Sequence, residues 1–391
     1  MKKLRLAAIL ASAVTFISSI GITQRNYKAP VIPTAAAEEN IEYSKDTKGF
    51  VTRMYNVVLG RTPDQKGLQN WTNKLNSKQA SASDIINGFF MSPEYLGRKK
   101  SNAEIVNDCY KAMLDRAPDA KGNANWLNKL NIGMTSQAIC KGFVGSSEFK
   151  GLCSAYGIVT GNISLKYARD ENYERTYFVY RLYANCLGRN PDVNGLENWC
   201  KSLKSGTTGT KIAQGFIFSK EYKSRNCSNQ DFASMLYKTI LGRNPDQNGI
   251  KSWTNQLNRG RSREYITNGF LFSSEFKGQC SKAGITLGNK LPCREDTAVS
   301  YHFRNSTLLN QHFDKHGSEF REEFGYKNAA EYESGASMVI NNPNALYKTE
   351  AEDGDGLYYV EITNEFVVLS TDGYIRTYFR PDKGIAYFNK Q

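Results

Sequence analysis

Leu59-Gly60-Arg61-Thr62-Pro63-Asp64-Gln65-Lys66-Gly67-Leu68-Gln69-Asn70-Trp71 decides how this chain is read, because it occurs four times. Leu114-Asp115-Arg116-Ala117-Pro118-Asp119 leads to Gly122 and Trp126. Leu187-Gly188-Arg189-Asn190-Pro191-Asp192 leads to Gly195 and Trp199. Leu241-Gly242-Arg243-Asn244-Pro245-Asp246 leads to Gly249 and Trp253. Each Trp is followed by Gly-Phe (Gly88-Phe89, Gly142-Phe143, Gly215-Phe216, Gly269-Phe270). Each copy then closes on Glu-aromatic: Glu94-Tyr95, Glu148-Phe149, Glu221-Tyr222 and Glu275-Phe276. Self-similarity at this period marks stacked modules. The second and fourth copies share a longer tail that ends in Cys153 and Cys280 and runs on to Gly157-Ile158 and Gly284-Ile285. The modules therefore read as two pairs, 48–158 and 178–285, joined by residues 159–177.

Each module reads as helical. Phe50, Met54, Tyr55, Val58 and Leu59 recur at steps of three and four, a helical face. Gly60 suits a left-handed C-cap and Asp64 an N-cap after Pro63. Ser92-Pro93-Glu94 starts a short last helix. Caps and core account for the Arg, Asp, Gly and Trp of the signature; the functional alternative is a ligand site at the Arg/Asp/Trp turn. A calcium loop at Asp192 or Asp246 fails, because Lys66 and Lys121 occupy the matching positions and no acidic ligand follows. The stretch 48–285 resembles a family of helical modules of unassigned function, common as tandem copies in exported bacterial proteins. That resemblance implies display or attachment. The second copy departs from the pattern at Asp115 and Ala117.

Around this array the composition is uneven. The chain has 391 residues, 40% of them hydrophobic and 23% charged, a balance that excludes wholesale disorder. Residues 301–391 carry 9 basic and 14 acidic side chains, while the first 300 carry 42 and 24, or +18. Lys2, Lys3 and Arg5, the apolar run 6–22 and Ala35-Ala36-Ala37 read as a secretory signal cleaved after Ala37. No later stretch reaches the ~18 apolar residues of a membrane span, so a secreted, extracellular product is expected. Eight Cys (109, 140, 153, 186, 200, 227, 280, 293) in an exported chain predict disulfides of undetermined pairing.

Residues 301–391 have no Cys or Trp but hold all three His: His302, His312 and His316. Helical texture over 306–313 and 328–340 gives way to strands at 357–362, 366–370 and 374–379, then a short strand at 385–388, with Thr371-Asp372-Gly373 as a hairpin turn. The chain is thus multidomain: a mostly α front and a small α+β C-terminal domain with an antiparallel sheet. His312 and His316 share a helical face beside Lys315. They suit a metal, given a third ligand such as His302, or acid–base work, or a solvated pair. Thr363, Glu365, Arg376, Thr377 and Arg380 lie on or beside adjacent strands; a cross-strand Arg376–Glu365 pair is the plainest account of two of them.

His312-Phe313-Asp314-Lys315-His316-Gly317, Gly325-Tyr326, Ala330 with Tyr332, Thr363-Asn364-Glu365-Phe366 and Gly373-Tyr374-Ile375-Arg376-Thr377-Tyr378-Phe379 carry a second resemblance. The tail resembles the C-terminal barnase/EndoU/RelE-like metal-independent ribonucleases of bacterial polymorphic toxins. That resemblance implies acid–base roles for His312 and His316, phosphate contacts from Lys315, Arg376 and Arg380, hydroxyl support from Thr363 and Thr377, and Glu365 as an alternative base. It implies no cofactor and no metal, RNA as substrate, and an immunity protein as partner. Net acidity opposes an RNA-binding role. The alternative is a non-enzymatic surface protein in which the basic modules bind wall polymer, glycan or another cell surface.

Overall fold

A computed structural model describes residues 42–391; the expected secretory signal lies outside the described residues. Residues 43–391 form one compact unit. Each module has four helical segments. In the first, Thr47–Arg53 runs into a π-helical turn, Met54–Val58, followed by Gln65–Asn76, Ala82–Phe90 and Pro93–Gly97. The π-turn recurs at Tyr110–Leu114, Leu182–Cys186 and Tyr237–Leu241. Helix starts follow the sequence: Asp64, Asp119, Asp192 and Asp246 each accept from the backbone N–H of the Gly three residues on.

Modules 1 and 2 share one apolar core, and modules 3 and 4 another. A returning strand of chain closes each pair. Ala82 N and Ser83 N donate to the carbonyls of Val159 and Thr160, and Gly209 N and Thr210 N donate to those of Thr286 and Leu287. These four orphan donors of a helix N-terminus are thereby satisfied from the far end of the pair.

The disulfide expectation is corrected. All eight cysteines are free thiols, six of them buried. Five of those six, Cys109, Cys140, Cys153, Cys186 and Cys200, fill the two module cores alongside Cys280, acting as small apolar side chains.

The C-terminal domain has strands β1 (His302–Phe303), β2 (Leu346–Thr349), β3 (Gly356–Val360), β4 (Glu365–Leu369) and β5 (Tyr374–Phe379). Their order is β1-β5-β4-β3-β2, antiparallel except for the parallel β1–β5 pair. Helices α1 (Ser306–His316), α2 (Ser318–Phe324) and α3 (Ala329–Ile340) precede the sheet, and α4 (Ile385–Lys390) ends the chain. The run at 385–388, expected as a strand, is therefore helix; β1, β2 and α2 carried no periodicity strong enough to announce them. Two apolar layers flank the sheet. Phe303, Phe320, Tyr332, Val339 and Tyr378 form one, and Leu357, Tyr359, Phe366 and Phe388 the other. In β5 the register slips so that Ile375 faces Leu369 and Thr377 faces Val368. Arg376 is the extra residue, which lets Ile375 and Tyr378 reach the same layer.

Candidate functional site

β1 pairs only with Tyr374 and Ile375, so residues 376–379 of β5 present an outer edge without a strand partner. Helix α1 lies along that edge. His312 and His316, one turn apart, stack with ring centroids 6.3 Å apart. His312 packs on Phe303 and His316 on Phe379. His316 Nδ1 lies 2.6 Å from Glu319 Oε1, and Glu319 Oε2 accepts from the backbone N–H of Arg380 at 2.8 Å. A carboxylate so placed fixes a hydrogen on Nδ1 and leaves Nε2 as the working atom. The Arg380 guanidinium turns to Glu323 at 2.8 Å. His312 is half-buried, with Nδ1 sealed and unpartnered. Burial first, then His316 and Lys315, hold its pKa below the usual imidazole value. Lys315 is exposed.

Other expected residues go elsewhere. Arg376 does not pair with Glu365. It reaches the β2–β3 turn, bonding Asp353 and lying 2.6 Å from Asp355, because the bulge turns it away from β4. The carboxylates of Glu350, Asp353 and Asp355 cluster there, with Arg376 as their cation. Thr363 is sealed in the 3-10 turn Glu361–Thr363. Thr377 is partly exposed and, beside core-facing Tyr378, belongs to the opposite face of β5. His302 is exposed, 3.1 Å from Glu333, and far along the fold from any shared ligand set.

Glu365 is fully buried, and its partner comes from the fourth module. Arg259 lies 2.9 Å from Glu365 Oε1, and Arg259 Nη2 donates to the Tyr378 hydroxyl at 3.1 Å. Tyr378 in turn donates to Glu365. The guanidinium sits over the rings of Phe324 and Tyr326, at 4.5 and 5.0 Å. Burial works against its charge, and Glu365, Tyr378 and Tyr326 outweigh that penalty. A carboxylate so enclosed is a structural anion, not an accessible base.

The repeated signature is equally well occupied. In every copy the Arg forms a two-pronged pair with the closing Glu: Arg61 with Glu94, Arg116 with Glu148, Arg189 with Glu221 and Arg243 with Glu275, at 2.6–2.9 Å. The same guanidinium covers a Tyr of the π-turn at 4.9–5.0 Å (Tyr55, Tyr110, Tyr183, Tyr237). A Cβ on the signature Gly would strike that Tyr hydroxyl in all four copies. The Trp packs on the Phe of Gly-Phe at 5.0–6.1 Å.

Four segments, residues 33–99, 94–153, 162–226 and 213–280, match one family model, described as a domain of unknown function (DUF4214). Together they cover more than half of the chain. The chain belongs to the DUF4214 family. No curated protein matches it. The DUF4214 signature is thus a cap-and-brace device: each residue type has a packing or pairing duty, and no side chain is left over for a ligand. The departure at Asp115 has its own duty. Asp115 takes the left-handed conformation that Gly60, Gly188 and Gly242 take elsewhere, and it pairs with Arg53 at 2.8 Å. Arg53 is 1% exposed and reaches across from the partner DUF4214 module.

Sequence reasoning missed Glu319 and Arg259. Glu319 stands at i+3 from His316, a spacing that could have found it. Arg259 lies 106 residues before Glu365, and nothing local pointed to it.

Proposed function

We propose that this protein is an exported bacterial effector: a DUF4214 carrier that attaches outside the cell, bearing a C-terminal domain that cleaves RNA without metal. The observation that carries this reading is the pair of imidazoles along the open edge of β5, one of them backed by Glu319 beside Arg380. RNA supplies its own nucleophile. His312, whose depressed pKa keeps it neutral at pH 7, takes the proton of the ribose 2′-hydroxyl as oxygen attacks phosphorus. His316 Nε2 gives a proton to the departing 5′-oxygen, and a 2′,3′-cyclic phosphate remains. Lys315 and Arg380 offset the charge growing on the nonbridging oxygens, and Thr377 adds a hydroxyl. Glu365, Thr363 and Arg376 are left out, being sealed or neutralised.

The test is degradation of RNA by the purified chain in EDTA. His312→Ala and His316→Ala should each lower the rate by ~100-fold or more. Full activity in both variants ends the mechanism.

A second reading rests on the same exclusions. With Glu365 held by Arg259 and Arg376 by Asp353 and Asp355, the protein is a non-catalytic surface binder. The +18 front then adheres to anionic wall polymer or surface. That reading predicts salt-sensitive binding to a polyanion with no RNA product at any pH.

A further inference from the structure

The two module pairs make the same three contacts with whatever follows them. In module 2, Asn128 Nδ2 donates to the Tyr173 hydroxyl at 2.6 Å. In module 4, Asn255, 127 positions on, donates to the carbonyl of Glu323 at 2.7 Å. Thr135, at the start of the third helix of module 2, gives both its N–H and its hydroxyl to one carboxylate, Asp170, at 2.8 and 2.6 Å. Ser262, again 127 positions on, gives the same two donors to Glu295 at 2.6 and 2.5 Å. In modules 1 and 3 the matching helix starts are filled from within the pair, by the returning chain at 159–160 and 286–287. One helix start per pair therefore faces inward, and one faces the next unit.

The third contact differs in chemistry at one shared position. Ile132, buried, packs with Met134 and Ala138 against Leu165, Tyr173, Tyr177 and Tyr180 of the following lobe. Arg259 stands at the equivalent place and takes Glu365 and Tyr378 of the C-terminal domain.

We propose that each DUF4214 pair ends in a common docking face, in which Asn128/Asn255 and Thr135/Ser262 hold any successor and position 132/259 selects which one. Ile132 selects a unit that presents an apolar, tyrosine-rich face. Arg259 selects a folded domain that presents a carboxylate enclosed by aromatic rings. The partner class is set by two features: an acid in the connecting segment that caps the third helix, and a match to the selector. The C-terminal domain thus occupies on lobe 2 the place that lobe 2 occupies on lobe 1, whatever reaction that domain performs.

The test uses the full chain and limited proteolysis at two connectors, residues 296–301 and 161–167. Cleavage there follows the population of the undocked form when closing is fast. Ser262→Ala and Glu295→Gln remove nothing from the core of the C-terminal domain. Each should raise cleavage at 296–301 by roughly five-fold, the scale of a lost N-cap, and leave 161–167 unchanged. Thr135→Val and Asp170→Asn should do the reverse. Arg259→Ile should raise cleavage at 296–301 alone by more than any of these, with Arg259→Lys between it and the wild type. Cleavage unchanged in Ser262→Ala and Glu295→Gln, or raised equally at both connectors, overturns the proposal.

Discussion

Replacing Asp115 by Gly sets two effects against each other, and the structure says which wins. The substitution restores the residue that the other three copies carry at this left-handed position, where Asp115 has φ 54°. Relief of that conformation favours the variant by about 1 kcal/mol. Against it stands Arg53, 1% exposed, whose Nη1 is 2.8 Å from Asp115 and whose Nε bonds the Ala112 carbonyl. Removing one partner of a buried pair costs about 3–5 kcal/mol. Asp115 is 43% exposed, so water reaches the pair and about half of that cost remains. The net expectation is a loss of about 1 kcal/mol for Asp115→Gly. Asp115→Asn keeps the conformational cost and loses the charge, so it should be less stable than Asp115→Gly. Arg53→Met together with Asp115→Gly should recover most of the loss, since no bare guanidinium is left behind. Urea titration followed by hydrogen exchange over residues 102–114 reads the order directly. Asp115→Gly at or above wild-type stability, or below Asp115→Asn, refutes the reasoning.

Arg259→Met should destabilise the C-terminal domain by about 3–5 kcal/mol, because Glu365 is left buried and bare, and Arg259→Met with Glu365→Leu should restore most of it; calorimetry of the two single variants and the double variant decides. Gly142→Ala would drive a methyl into Trp126 and should cost about 1–3 kcal/mol, whereas Gly215, with open space at the same point of module 3, should gain about 0.5–1 kcal/mol on becoming Ala. Comparing the two denaturation midpoints measures both. The lowered pKa of His312 means that the unfolded chain takes up a proton first as pH falls through 6.5. Stability of the C-terminal domain should therefore decline from pH 7 downward through that window, and His312→Asn should flatten the decline in a pH series of urea midpoints.

What the sequence made legible was whatever lies within one turn or one repeat. The caps at Asp64 and Ser92, the left-handed Gly60 and the Asp372-Gly373 hairpin are set by neighbouring atoms, so their signals are local. The helix 306–316 with its two His could be read from spacing alone. Contacts made across the fold were not legible: Arg376 met Asp355 instead of Glu365 because a single extra residue in β5 rotated it, and no pattern of types announces a bulge. The run at 385–388 has the alternation of a strand, yet it folds as α4, where Phe388 covers Tyr359 and Phe366. The thiols offered the same lesson, since an even count suggests cross-links but burial in separate module cores gives each a packing role.

The return of residues 159–160 and 286–287 onto the first module of each pair has a consequence for how such proteins grow. A solitary module would leave a helix start uncovered and half a core open to water. Lengthening the array by one module at a time would therefore create a defect at every odd step. Copying some 127 residues together avoids it, so the heritable brick of this architecture is the closed couple, and members of even count are the ones evolution can assemble cheaply.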